Sequence, residues 1–163
     1  MITLTLKDDG LADLAARLGD LLADLSPVMN DIGQQLARSA KDRIDRGVSP
    51  DGTAFAPRSP ATLAAYDRKG WRYKGPLHRS GDMRADIFHG YGPGHAAVGV
   101  NAIQSAVMQF GQKKGASGSD KRGRPIPWGD IPARPFLGLS EEDRTAIGAI
   151  VEEWLGDALA AGG

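Results

Sequence analysis

Three imidazoles, His78, His89 and His95, are the side chains of this 163-residue sequence best suited to move protons near neutral pH. No HExxH-type helical spacing and no carboxylate–histidine cluster accompanies them, so surface or loop roles are expected for all three. Cysteine is absent, which excludes thiolate nucleophiles, thiolate metal sites and disulfide staples. Gly90-Tyr91-Gly92-Pro93-Gly94 is rich in glycine, but its proline removes a backbone donor where a phosphate cradle would need one, and a turn suits it better. No Gly-x-Ser-x-Gly elbow occurs. The acids lie mostly at helix starts or on polar helical faces, where helix stabilisation explains them. The expectation is a protein that is not an enzyme, with no catalytic residues, no metal site and no cofactor.

The chemistry left is contact chemistry. Lys69-Gly70-Trp71-Arg72-Tyr73-Lys74 interleaves cations with aromatics, a mixture that can stack bases while holding phosphates or form an adaptable protein interface. Lys113, Lys114, Lys121, Arg122 and Arg124 lie among Gly and Ser, with Asp120 the one acid between 113 and 124. The whole chain balances 20 basic against 20 acidic residues, so no global field argues for nucleic acid or a membrane as the main partner. The most informative stretch is Ile131-Pro132-Ala133-Arg134-Pro135-Phe136-Leu137-Gly138-Leu139-Ser140. Its prolines hold the chain extended, and Phe136, Leu137 and Leu139 are apolar anchors, which reads either as a docking strap or as a Pro-rich connection into a helix. Phe136 itself fits a core anchor or an interface.

The elements that must position these residues follow from periodicity. Ile2 to Leu6 alternates with period two, as a half-buried strand does. Leu11, Leu14, Leu18, Leu21, Leu22 and Leu25 form one helical stripe. Ser26-Pro27 reads as N-cap and N1 of a second helix, or as a bend in one long helix. Val28, Ile32, Leu36, Ala40 and Ile44 follow on its face, and Gly47 ends it. Its polar side, including Arg38, Lys41, Asp42, Arg43 and Arg46, is expected to be solvated. Residues 47 to 60 are turn chemistry. Ser59-Pro60 starts a short helix through about Arg68, and Leu77 to Ile87 reads as a helical turn entering a strand. Phe88 to Val100 predicts a β-hairpin turning at residues 90–94. Asn101 is placed to cap a helix from Ala102 to Phe110. Residues 112–130 lack periodicity and are expected to be a flexible basic loop, with Ile126-Pro127-Trp128 anchoring its far end. Ser140-Glu141-Glu142-Asp143 has the form of a capping box, and Ile147, Ile150, Val151, Trp154, Leu155, Ala158 and Leu159 continue a terminal helix that frays at its last three residues. The fold class expected is α+β in a single domain over 1–163: long N- and C-terminal helices on a small antiparallel sheet made from the N-terminal strand and the hairpin. No apolar run reaches the roughly 20 residues needed to cross a bilayer, and Met1 to Lys7 lacks the layout of a signal peptide, so a soluble, unprocessed chain is expected.

Four stretches in order give a resemblance. They are Ser49-Pro50-Asp51-Gly52 with Pro57-x-Ser59-Pro60-x-Thr62; Gly75-Pro76-Leu77-x-x-Ser80-Gly81-x-Met83-x-x-x-Ile87; Val107-Met108-Gln109-Phe110-Gly111; and Ile131 to Ser140. Together they span about residues 30 to 155 and make the chain resemble the phage virion morphogenesis, or tail completion, family of Mu-like contractile-tailed phages. Two departures stand out: Phe55 is followed by Ala56 rather than a longer residue, and the loop from Gln112 to Asp130 is long. The resemblance implies a structural virion protein at the neck, completing the tail or joining head and tail, assembled in the host bacterial cytoplasm. It implies a homo-oligomeric ring, a hexamer by analogy with tail symmetry, with other neck and tail proteins (tube, terminator or connector) as partners, no membrane, no enzyme activity and no cofactor. Arg134, Pro135, Phe136, Leu137, Trp71 and Tyr73 are the expected inter-subunit or docking contacts. Lys113, Lys114, Lys121, Arg122 and Arg124 are placed to meet non-specific DNA in the channel. The alternative is a nucleic-acid-binding module built on the basic-aromatic loops.

Overall fold

The computed structural model describes residues 9–160. The elements run α1 (Asp9–Ala23), α2 (Ser26–Arg46), α3 (Pro60–Arg68), α4 (Asp82–Ala85), β1 (Ile87–Gly92), β2 (His95–Val100), α5 (Ser105–Phe110) and α6 (Glu141–Ala160). The architecture is α+β, as the periodicities predict. The strand read at Ile2 to Leu6 and the fraying end at 161–163 lie outside the described residues.

Helix α2 is the central element, packing on both strands of the hairpin and on α6. Its contact seam is Ile32, Gly33, Ala37, Ala40 and Ile44, all buried. The small residues in that seam let the backbones approach: a Cβ on Gly33 would stand 3.1 Å from the His89 ring. Two non-helical residues separate α1 from α2, so the pair is two helices rather than one bent helix. Ser26 is not the N-cap predicted for it but lies inside the helix, and its backbone N–H donates to the Asp24 carboxylate at 2.9 Å. A charged acceptor two residues upstream satisfies that free N–H better than a neutral hydroxyl does. At the other end Gly47 adopts φ 71°, and its N–H donates to the Arg43 carbonyl at 2.8 Å. A left-handed residue closing a helix is the position where glycine is least strained.

The hairpin pairs Ile87 with Val100 and Gly92 with His95, leaving only Pro93 and Gly94 as its turn. The turn is tighter than the 90–94 span read from composition because the glycines at 90 and 92 continue the ladder. The Pro93 carbonyl accepts from the Leu25 N–H at 3.2 Å, tying the hairpin tip to the start of α2. Helix α3 starts as its sequence specifies, with the Ser59 hydroxyl accepting from the Thr62 N–H at 3.2 Å. Helix α5 is shorter than expected: residues 102–104 form a turn, and Asn101 caps nothing.

The core lies between α2, the hairpin and three irregular segments. Ala37, Ala40, Ile44, Phe55, Leu77, Met83, Ile87 and Phe136 form one buried cluster. Phe55 comes from the 47–60 loop and Phe136 from the strap, so much of the core is filled from outside the regular elements. Residues 112–130 make an excursion closed at its base by paired main-chain bonds between Gln112 and Ile131, at 2.8 and 2.7 Å. Further out, the Ser117 N–H donates to the Ile126 carbonyl at 2.8 Å and the Asp120 N–H to the Arg124 carbonyl at 2.8 Å.

Candidate functional site

The strap crosses the end of α2 and is held at three points. Gln109 of α5 reads its backbone: Oε1 accepts from the Phe136 N–H at 3.0 Å and the Leu137 N–H at 3.1 Å, while Nε2 donates to the Leu137 carbonyl at 2.9 Å. A single amide matches both donor and acceptor groups of an extended chain, which glutamate or leucine could not do. Arg134 is held at the second point. Its Nε donates to the Ala56 carbonyl at 2.6 Å and its Nη2 to the Pro57 carbonyl at 2.8 Å, so one guanidinium fork clamps the 47–60 loop onto the strap. Burial lowers its pKa from the ordinary arginine value, with the neighbouring Arg58 charge adding to the effect.

The third point is a buried ion pair. Arg43 of α2 donates to the Phe136 carbonyl at 3.1 Å, the Gly138 carbonyl at 3.0 Å and the Ser39 hydroxyl at 3.0 Å, and its second terminal nitrogen meets the Asp143 carboxylate. The side chains of the pair are 6% and 1% exposed. Asp143 also completes the capping box: its carboxylate accepts from the Ser140 N–H at 2.8 Å, while the Ser140 hydroxyl accepts from the Asp143 N–H at 3.1 Å. Burial pushes the Asp143 pKa up, but hydrogen bonds from Ser39 and Ser140 and the Arg43 charge outweigh it, and the net shift is downward.

The expected contact residues therefore divide. Arg134 and Phe136 face inward, 5% and 0% exposed, so of the two readings of Phe136 its side chain takes the core anchor. The subunit consumes every group they offer: Phe136 fills the core and Arg134 binds carbonyls of its own chain. Pro135 and Leu137 are half-buried on the same strap. Trp71 and Tyr73 are different, at 42% and 43% exposure. They stand on a small platform around Tyr66, whose ring lies 5.6 Å from Trp71 and 5.9 Å from Tyr73. Arg58 supports the platform from below, with Nη1 on the Tyr66 hydroxyl at 2.5 Å. Lys69 and Arg79 lie over the Trp71 ring at 4.3 and 4.6 Å from its centroid.

The five basic residues of the 112–130 excursion are partly neutralised. Lys113 pairs with Asp130 at 2.9 Å, which raises its pKa, and Arg124 pairs with Asp120 at 2.7 Å. Asp120 is held low chiefly by Arg124, through its backbone N–H and its side chain, with the Arg122 backbone N–H adding to the effect. Lys114, Lys121 and Arg122 carry charge that no carboxylate of the described residues pairs. The same excursion exposes Trp128 (67%), and α5 exposes Phe110 (79%).

The imidazoles do not converge. His78 Nδ1 lies 2.9 Å from Asp45 Oδ1, His89 Nε2 lies 3.1 Å from Asn30 Oδ1, and His95 stands at the hairpin turn. Among the described residues no three His, Asp or Glu side chains gather where a metal ion could sit, and no helix is long and apolar enough to cross a membrane.

The strap, its Gln109 clamp and the loop that Arg134 holds come from three of the four sequence stretches quoted above. The model of the phage virion morphogenesis family matches residues 6–156. The chain belongs to that family. It is also similar to "Mu-like prophage FluMu G protein 2" of Haemophilus influenzae, at 29% identity over 131 residues, which is 80% of this chain and 78% of that protein. No solved structure matches the chain.

For a virion morphogenesis protein the hidden residues matter as much as the exposed ones. Arg43 reads as part of a solvated face, yet it is three residues beyond Ala40 and adjacent to Ile44, at the border of the buried seam. That position was the available signal. Gln109 had none, because nothing local marks the backbone it will bind 27 residues later.

Proposed function

We propose that this phage morphogenesis protein is a structural component of the neck that completes the tail or joins head and tail as a homo-oligomeric ring, a hexamer to match tail symmetry. It acts by contact, without catalysis or a cofactor, in the virion, after assembly in the host cytoplasm. Its partners are further copies of itself and the adjoining tube, terminator or connector proteins. The observation that carries this reading is the outward display of Trp71, Tyr73, Phe110 and Trp128 by a subunit whose core is already closed by its strap. Large exposed aromatics beside cations are the composition of interface centres, and heterologous contacts between identical subunits close into rings.

Lys114, Lys121 and Arg122, with Lys113 and Arg124 beside them, would face DNA in the channel and attract phosphates without reading bases. The alternative of a dedicated nucleic-acid module is weakened by Lys69 and Arg79, which lie over the ring of Trp71 that a base would need. Electron microscopy of particles made without the protein tests the reading. Separate full heads and tails are expected; normally joined virions would refute it.

A further inference from the structure

The neutral total charge of the chain hides a segregation. Residues 58–79 carry Arg58, Arg68, Lys69, Arg72, Lys74 and Arg79 against Asp67 alone, while α6 carries six acids against Arg144 alone. Within the subunit these two regions do not neutralise each other. Glu152, Glu153 and Asp157 of α6 are exposed, and so are Arg72 and Lys74; none of the five has an ion-pair partner among the described residues. The acidic side is also concave. A groove of about 400 Å³ runs between α2 and α6, lined by Asp31, Arg38, Ile150, Glu153, Trp154 and Asp157 among others. The basic side is a loop that displays Trp71 and Tyr73, 42% and 43% exposed.

We propose that the 69–74 loop of one copy seats in the α2–α6 groove of the next copy. This rests on the ring reading above and names its two faces. Charge selects the partner: a basic aromatic loop and a groove that sets Asp31, Glu153 and Asp157 against Arg38 alone, with Ile150 and Trp154 between them, are complementary to each other, and opposed potentials steer and register such contacts. Position makes the contact head-to-tail. The basic loop is anchored beside the end of α2, where His78 and Arg84 bind Asp45, whereas the groove begins at Asp31. Those positions are 14 residues apart on one helix, about 21 Å at the helical rise. With loop and groove that far apart, a one-way contact leaves a free loop at one end and a free groove at the other; it propagates, and it closes as a ring where the rotation between copies returns to the start. Tyr73 would rest on Trp154 and Ile150, with Arg72 and Lys74 reaching Glu153 and Asp157.

The absence of native cysteine makes the test direct. Full-length protein carrying both Tyr73→Cys and Asp157→Cys is oxidised with diamide, both purified and within assembled particles, and resolved under denaturing, non-reducing conditions. A ladder of dimer, trimer and higher species is expected from the double variant, and at most dimer from either single variant. Monomer alone in particles that contain the protein would overturn the inference. A charge exchange supplies the second measurement. Arg72→Glu with Lys74→Glu should weaken self-association more than about tenfold, because like charges then face each other, and adding Glu153→Lys with Asp157→Lys to the same chain should restore it. Unchanged association in the first variant, or a loss confined to DNA binding, would place the loop elsewhere. If the wild-type chain forms rings while both tests fail, these two faces are wrong and the ring stands. If joined virions form without the protein, the functional reading falls first.

Discussion

Removing the Asp143 carboxylate is the most informative single change, because it separates a buried ion pair from its surroundings. In the parent, its Oδ2 accepts from the Ser140 N–H, the Ser140 hydroxyl and Arg43. Asp143→Ala removes the carboxylate half of the α6 capping box and leaves a guanidinium 94% shielded from water with carbonyls and a hydroxyl but no counter-charge. Breaking a buried pair from one side costs roughly 3–5 kcal/mol, a large part of a total stability of about 5–15 kcal/mol. For a domain of this size each kcal/mol moves Tm by about 2–4 °C, so a fall of roughly 6–20 °C is expected. Thermal melts followed by circular dichroism at pH 7 measure it, with Glu142→Ala as control, since the Glu142 pairing with Arg46 is long at 3.7 Å and exposed. The sign with pH follows from the lowered pKa of Asp143. Its contribution is fully present above the unfolded value of about 3.9 and is lost as pH falls through the lower folded value, so parent and variant should converge in acid and stay apart from pH 5 to 8. Replacing both partners, Arg43→Met with Asp143→Leu, should recover much of the loss. A loss below about 1 kcal/mol for Asp143→Ala would refute the reasoning, because it would mean that Arg43 needs no counter-ion where it lies.

Three further outcomes check the strap. Phe136→Ala should destabilise the isolated subunit by about 3–5 kcal/mol in urea denaturation, as truncation of a fully buried aromatic does, rather than sparing the subunit and impairing assembly alone. Gln109→Ala should cost about 1–3 kcal/mol by leaving the Phe136 and Leu137 N–H groups unpaired, measured the same way. Gly111→Ala should cost more than about 2 kcal/mol, since φ is +73° there and the new Cβ would stand 2.8 Å from backbone atoms of Ile131 and Ala133; an unaltered midpoint would show that the base of the excursion can shift.

What could be read in advance was local. Ser59 and Ser140 announce their helices because a cap is decided within four residues, and the structure places both hydroxyls on the expected N–H groups. The hairpin was legible for the same reason, though its turn was placed too wide, since glycines mark both turns and close strand approaches. The strap was found but its direction was not: an extended Pro-rich run with an aromatic looks the same whether it faces a neighbour or its own core. That choice is made by Arg43 and Gln109, which lie 93 and 27 residues upstream. Exposure of Trp71 and Tyr73, by contrast, follows from a glycine-flanked stretch with no apolar periodicity to bury it.

The link between Arg43 and Asp143 also sets a timetable. The two residues are 100 positions apart, and a ribosome adding roughly 5–20 residues per second separates their synthesis by about 5–20 s. For that interval α2 exists with a cation on its core face and neither the strap nor the α6 cap to receive it. The nascent chain therefore cannot finish its core, or form the groove between α2 and α6, until α6 has been made.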